Sequence, residues 1–71
     1  MTELGLYLAK KSVNKSEISR RTGISKSRLS ELSMNSTARL RADELYLIAL
    51  AIDIDASVMI EHLFKNIKLK I

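Results

Sequence analysis

The sequence lacks cysteine and proline, has only two glycines and contains few aromatic residues. Without cysteine, disulfides, thiolate metal sites and cysteine nucleophiles are excluded. The longest apolar run, Leu45 to Ile52, is too short to span a bilayer, and the first residues show no basic-then-apolar signal pattern. A chain of 71 residues suffices for one modest core. We therefore expect a single soluble domain in the cytoplasm, without membrane association.

The scarcity of proline and glycine favours helix, because these residues weaken helix interiors most. The sequence predicts an all-α fold of five helices. Its first segment has two interpretations. Thr2 suits the N-cap of a helix in which Leu4, Tyr7 and Leu8 share one face, whereas the alternation of Leu4, Leu6 and Leu8 also fits a short strand.

Two short helices joined by a tight turn are predicted next. Asn14 suits an N-cap, and Glu17 lies three residues later, as in a capping box. Gly23 ends this helix, since it adopts the left-handed conformation without a Cβ penalty. Ser25 caps the following helix, in which Leu29 and Leu32 are expected to face inward and Ser33 outward, and Asn35 is the candidate left-handed residue after it. This is a helix-turn-helix motif, with helices at about 15–22 and 26–34; the second helix of such a motif enters the major groove.

The residues of this motif resemble a known family. The stretch Ile18 to Ser25, followed by Leu29 to Leu32, resembles the Leu-Ala-x-x-x-Gly-Val-Ser and Ile-Ser-x-Ile segments of Cro and lambda-repressor-type domains, also called the xenobiotic-response-element family. The run Leu45 to Ile54 is similar to the family's fourth helix and the turn after it. The resemblance spans Val13 to about Phe64 and implies a compact five-helix, lambda-repressor-like domain that binds double-stranded DNA.

The charge distribution fits such a partner. The net charge is +4, but the stretch from Lys10 to Arg41 has nine basic residues against Glu17 and Glu31 and so carries +7. The remainder carries −3. A basic region of this kind suits a polyanion, although an ordinary solvated surface is the alternative.

Position in the motif implies two sets of DNA contacts. The side chains expected at base edges are Lys26, Ser27, Arg28, Ser30 and Glu31. The expected phosphate contacts are Asn14, Lys15, Ser25, Arg39 and Arg41. Lys26 or Arg28 would donate to guanine, and Glu31 would accept from cytosine N4. The alternative is a charged helix face with a local Arg28–Glu31 pair.

Lys15 and Lys26 stand where the family often has glutamine, which favours phosphate or guanine over adenine. Homodimerisation is expected as well, because one recognition helix covers only a few base pairs.

The C-terminal part points to a competing function. Val58, Met59, Ile60, Leu63, Phe64 and Ile67 give the predicted fifth helix a broad apolar face behind its N-cap, Asp55. The domain is expected to cover residues 1–66, with a tail at 67–71. That tail alternates with period two and either adds as a strand to another chain, forming a dimer, or frays.

The main expectation is a transcriptional regulator, with repression favoured, of bacterial or phage type. The alternative is an antitoxin or anti-repressor that binds a protein through residues 56–71. No catalytic site, metal site or cofactor is expected, since His62 has no second His or Cys beside it.

Overall fold

The computed structural model describes residues 1–70 and confirms the all-α prediction; Ile71, the last residue of the predicted tail, lies outside the described residues. Five helices form in this range: α1 (Glu3–Lys10), α2 (Lys15–Thr22), α3 (Lys26–Met34), α4 (Ala42–Ala51) and α5 (Ala56–Leu63). The first segment is therefore a helix, and its interpretation as a strand is wrong. Residues 67–70 are irregular.

Most of the helices begin at the N-caps that the sequence predicts. The Thr2 hydroxyl accepts from the Gly5 N–H at 3.0 Å, and the Asn14 side chain accepts from the Ser16 N–H at 2.8 Å. Ser25 and Asp55 cap α3 and α5 in the same way. Each cap satisfies an N–H that has no partner within its helix, so the chain turns where these short polar residues occur.

The core is built from all five helices. α1 packs against α3 and α5, α2 packs against α3 and α4, and α4 packs against α5. Leu29, Ile48 and Met59, one each from α3, α4 and α5, are completely buried. They are surrounded by the other buried apolar side chains, which are Leu4, Tyr7, Leu8, Ile18, Leu32, Leu45 and Ala49.

The beginning of α1 lies directly against the end of α3. The Thr2 hydroxyl donates to the Leu32 carbonyl at 2.7 Å, and the Thr2 N–H donates to the Ser33 carbonyl at 2.8 Å. A Cβ atom on Gly5 would lie 2.3 Å from that same Ser33 oxygen. Glycine is therefore required at position 5 by the close approach of two helices, although it weakens the helix interior.

Two sequence predictions near the end of α3 are wrong. Ser33 was expected on the outer face but is buried, with its hydroxyl donating to the Leu29 carbonyl at 2.8 Å. Asn35 is extended, at φ −98°, and its side-chain oxygen accepts from the Thr37 N–H at 2.9 Å. Among the described residues other than glycine, left-handed conformations occur at Ser12, at φ 54°, and at Asp53, at φ 57°.

Candidate nucleic-acid interface

The turn between α2 and α3 holds the two helices in a helix-turn-helix arrangement. Gly23 adopts φ 81°, which brings Ile24 into contact with the core and lets Ser25 start α3. The Thr22 hydroxyl donates to the Ile18 carbonyl at 2.7 Å and accepts from the Ile24 N–H at 3.1 Å. Thr22 was not predicted from the sequence; its hydroxyl links the last turn of α2 to the residue after Gly23. The orientation of α3 on α2 is consequently fixed by short-range bonds.

α3 presents a polar face to solvent. Leu29 and Leu32 are buried, whereas four of the five predicted base-contact residues are exposed: Lys26, Ser27, Ser30 and Glu31. The structure thus brings these four side chains to the outer side of one helix. Their donors and acceptors are of the types that recognise base edges.

Arg28, the fifth predicted base-contact residue, lies in a different environment. Its Nε donates to Glu44 Oε2 at 2.8 Å and its Nη2 donates to Glu44 Oε1 at 3.0 Å, a bidentate pair. Nη2 also donates to the Arg39 carbonyl at 2.8 Å, and Nη1 donates to Glu31 Oε1 at 2.6 Å. The guanidinium therefore already has partners on α3, on α4 and in the loop between them.

Glu44 is the most enclosed charged side chain of this network, with 11% of its side-chain surface exposed. The hydrogen bonds from Arg28 lower the pKa of Glu44 below its ordinary value, and the backbone N–H of Arg41, at 3.0 Å, acts in the same direction. Burial opposes this shift. The carboxylate stays ionised because Arg28 compensates its desolvation. Sequence reasoning missed this pair, since the partners are 16 residues apart and belong to different helices.

The predicted phosphate contacts lie at three places. Asn14 and Lys15 stand at the start of α2, and Ser25 stands at the start of α3, where its hydroxyl accepts from the Arg28 N–H at 3.1 Å. Arg39 and Arg41 are exposed around the beginning of α4. Arg41 also pairs with Asp43 at 3.3 Å, an exposed contact of small energetic weight.

Two arginines of α2 take structural roles. Arg20 pairs with Glu17, which lowers the pKa of Glu17, so this carboxylate is engaged by an ion pair where a capping box was predicted. Arg21 Nη1 donates to the Ala51 carbonyl at 2.8 Å, at the end of α4. A cation at this position is favourable because the C-terminal end of a helix is partially negative.

The carboxylates and His62 are the side chains of this sequence most suited to bind a metal ion. Within residues 1–70, no three His, Cys, Asp or Glu side chains are grouped to hold a metal ion. The His62 ring packs on Tyr7, with 4.9 Å between ring centroids. The same range contains no helix of the length and apolarity that a membrane span requires.

The sequence profile of the Cro/C1-type HTH DNA-binding domain matches residues 3–62. No curated protein and no solved structure matches the chain significantly. The matched region includes α1 to α4 and nearly all of α5, and therefore both helices of the helix-turn-helix and the loop before α4.

Proposed function

Because the chain belongs to the Cro/C1-type helix-turn-helix DNA-binding family, we propose that it is a sequence-specific transcriptional regulator that reads the major groove with α3. One observation carries this proposal. Lys26, Ser27, Ser30 and Glu31 lie exposed on a helix whose inner side is anchored by the fully buried Leu29. Such a helix enters the groove as a rigid element, with its polar side chains already directed outward.

The exposed residues of α3 differ in what they recognise. Lys26 donates to the N7 and O6 acceptors of guanine, and Glu31 accepts from N4 of cytosine. Ser27 and Ser30 donate or accept and so discriminate less. Glu31 is the most informative of the four, because a carboxylate near phosphates is repelled unless donors compensate it; Arg28 supplies one donor, and cytosine N4 supplies another.

Phosphate contacts fix the register of α3 in the groove. We assign them to the start of α2, the Ser25 cap and the two exposed arginines of the loop: Asn14, Lys15, Ser25, Arg39 and Arg41. Each cationic contact displaces counterions from the DNA, so affinity falls with rising salt.

A homodimer completes the proposed complex. Exposed apolar side chains continue from α5 into the tail; Val58 is 57% exposed, Ile67 71% and Leu69 83%. We propose that a two-fold dimer which buries them presents two α3 helices to one face of the duplex, with half-sites about 34–36 Å apart. A dimer bound across a promoter blocks access to it, and we therefore favour repression.

The same exposed apolar residues support the second candidate, an antitoxin or anti-repressor type of module that binds another protein through residues 56–71. The two candidates differ in what the purified chain does alone. A regulator binds duplex as a homodimer, whereas an interaction module stays monomeric and shows no affinity for DNA at low salt.

The deciding experiment selects duplexes from a random library and measures their affinity by fluorescence anisotropy at several salt concentrations. We expect tight, salt-sensitive binding by the wild type. Lys26→Ala weakens it, and Glu31→Ala changes the preferred base pair at one position. Arg20→Ala and Glu3→Ala are the controls, since they remove one charge of each sign from residues outside the proposed interface. Weak binding that is indifferent to sequence and to both test variants contradicts the proposal.

A further inference from the structure

The guanidinium of Arg28 joins three parts of the molecule that no other contact described above brings together. It links α3 to Glu44 at the start of α4 and to the main chain of the loop at Arg39. We propose that Arg28 is a positioning residue for DNA binding, which with Glu44 holds the loop of residues 35–41 and its arginines against the recognition helix. This inference rests on the proposed function and assigns Arg28 a role other than base contact.

The packing of the helices shows why such a link is needed. In the part of the chain that the structure describes, the backbones of α3 and α4 do not approach each other closely. The first half of the loop is held locally, since the Ala38 N–H donates to the Asn35 carbonyl at 3.1 Å. The second half is held by Leu40, which packs on the core, and by the network: Arg28 binds the Arg39 carbonyl, and Glu44 accepts from the Arg41 N–H.

The network thus holds the main chain of Arg39 and of Arg41, the two arginines that we assign to phosphate contacts. It also holds Glu31, the proposed cytosine reader, through Arg28 Nη1 at 2.6 Å. One side chain therefore sets the relative positions of a base contact and two phosphate contacts. A guanidinium suits this role because its donors form a planar fork, whereas an ammonium is a single flexible point charge.

The proposal predicts an effect on DNA affinity opposite to that of simple electrostatics. Removing a negative charge near DNA reduces repulsion and favours binding. Glu44→Gln removes such a charge, yet on our proposal it weakens binding because Arg28 and the loop are released. Asp43→Asn is the matched control: it removes the same charge one residue earlier, from an exposed carboxylate that Arg28 does not contact. Asparagine keeps the side-chain oxygen that accepts from the Glu44 N–H, and losing the pair with Arg41 leaves that arginine free for phosphate.

Arg28→Lys provides the second variant. A lysine in the groove still donates to guanine N7 and O6, so a base-contact role predicts affinity near that of the wild type. A lysine cannot bind both oxygens of Glu44 together with Glu31 and the Arg39 carbonyl. On our proposal this variant therefore behaves like Glu44→Gln, although its net charge equals that of the wild type.

The experiment measures affinity and salt dependence for these variants on the duplex selected by the wild type. We expect Glu44→Gln and Arg28→Lys each to lose about ten-fold in affinity. We also expect the salt slope to fall by about two, one for each displaced arginine. Asp43→Asn binds at least as tightly as the wild type. The inference is overturned if Glu44→Gln binds as tightly as the control, or if Arg28→Lys matches the wild type.

A measurement without DNA separates this inference from the proposed function. Hydrogen exchange followed by NMR reports on the Arg41 amide, which donates to Glu44. In Arg28→Lys that donor and its acceptor are chemically unchanged, so faster exchange there shows that the loop has moved. Unchanged exchange in a variant with a wild-type circular dichroism spectrum overturns the inference. If the wild type binds no duplex, the proposed function fails, and faster Arg41 exchange still supports the link between Arg28 and the loop.

Discussion

Two regions of this small domain, one around α3 and one around α5 and the tail, are stabilised in different ways. Around α3, the exposed surface is mostly polar, Arg28 connects Glu31 with Glu44, and the apolar side chains other than Met34 are buried. Around α5 and the tail, only Met59 is fully buried, and Val58, Phe64, Ile67 and Leu69 are exposed. The first region is complete within one chain. The second exposes apolar surface of the kind that protein partners cover.

This comparison predicts that apolar residues matter for different reasons in the two regions. Leu29→Ala leaves a cavity in the core beneath the recognition helix and should cost about 2–5 kcal/mol in the free energy of unfolding. Val58→Ala removes a side chain that is already in water, so its effect should remain within about 0.5 kcal/mol. Urea unfolding at low protein concentration measures both. Equal losses in the two variants would remove the distinction between the regions.

Self-association tests the second region directly. We expect the double substitution Ile67→Ser and Leu69→Ser to weaken the dimer by about ten-fold or more, because each side chain contributes roughly 1 kcal/mol or more when buried. Lys68→Ser, between them, is the control. Sedimentation equilibrium gives the dissociation constants. The wild type could remain monomeric at high concentration, or the double variant could associate normally. Either result would show that this apolar surface does not form the dimer and is available to another partner.

The smallest expected effect is the pH dependence of the first region. Arg28 lowers the pKa of Glu44 below the ordinary value of 4.5, so the folded chain binds the proton less readily than the unfolded chain does. The resulting stability is present above pH 4.5 and is lost as pH falls from 4.5 through the lowered pKa.

Unfolding free energies measured across that range should therefore decrease less in Glu44→Gln than in the wild type. The pKa values of Glu17 and Asp55 are lowered as well. Both residues are present in the two proteins, so the difference isolates Glu44. Identical pH profiles would show that the ion pair contributes nothing to stability.

Features set by neighbouring residues were predictable from the sequence. Thr2, Asn14, Ser25 and Asp55 are caps because a short polar side chain precedes an apolar repeat, and Gly23 breaks the chain between two such repeats. These signals lie within four or five residues of the helix ends that they determine. The all-α fold and the helix-turn-helix follow from them.

Features set by contacts between distant segments were not predictable in this way. The partner of Arg28 on α4 lies 16 residues away and was missed, whereas the local Arg28–Glu31 pair was foreseen as an alternative and is present beside it. Ser33 was expected outside because it is polar, yet it lies four residues after Leu29 and therefore on the same side of α3. The close approach of Gly5 explains why a small residue is buried there.

The bonds from Thr2 to the end of α3 have an electrostatic consequence. The last carbonyls of a helix carry the negative pole of its dipole, and the first N–H groups of another carry the positive pole. Here the positive pole of α1 lies against the negative pole of α3, through bonds to Leu32 and Ser33. The two poles offset each other, which reduces the negative potential that the end of the recognition helix presents to a polyanion.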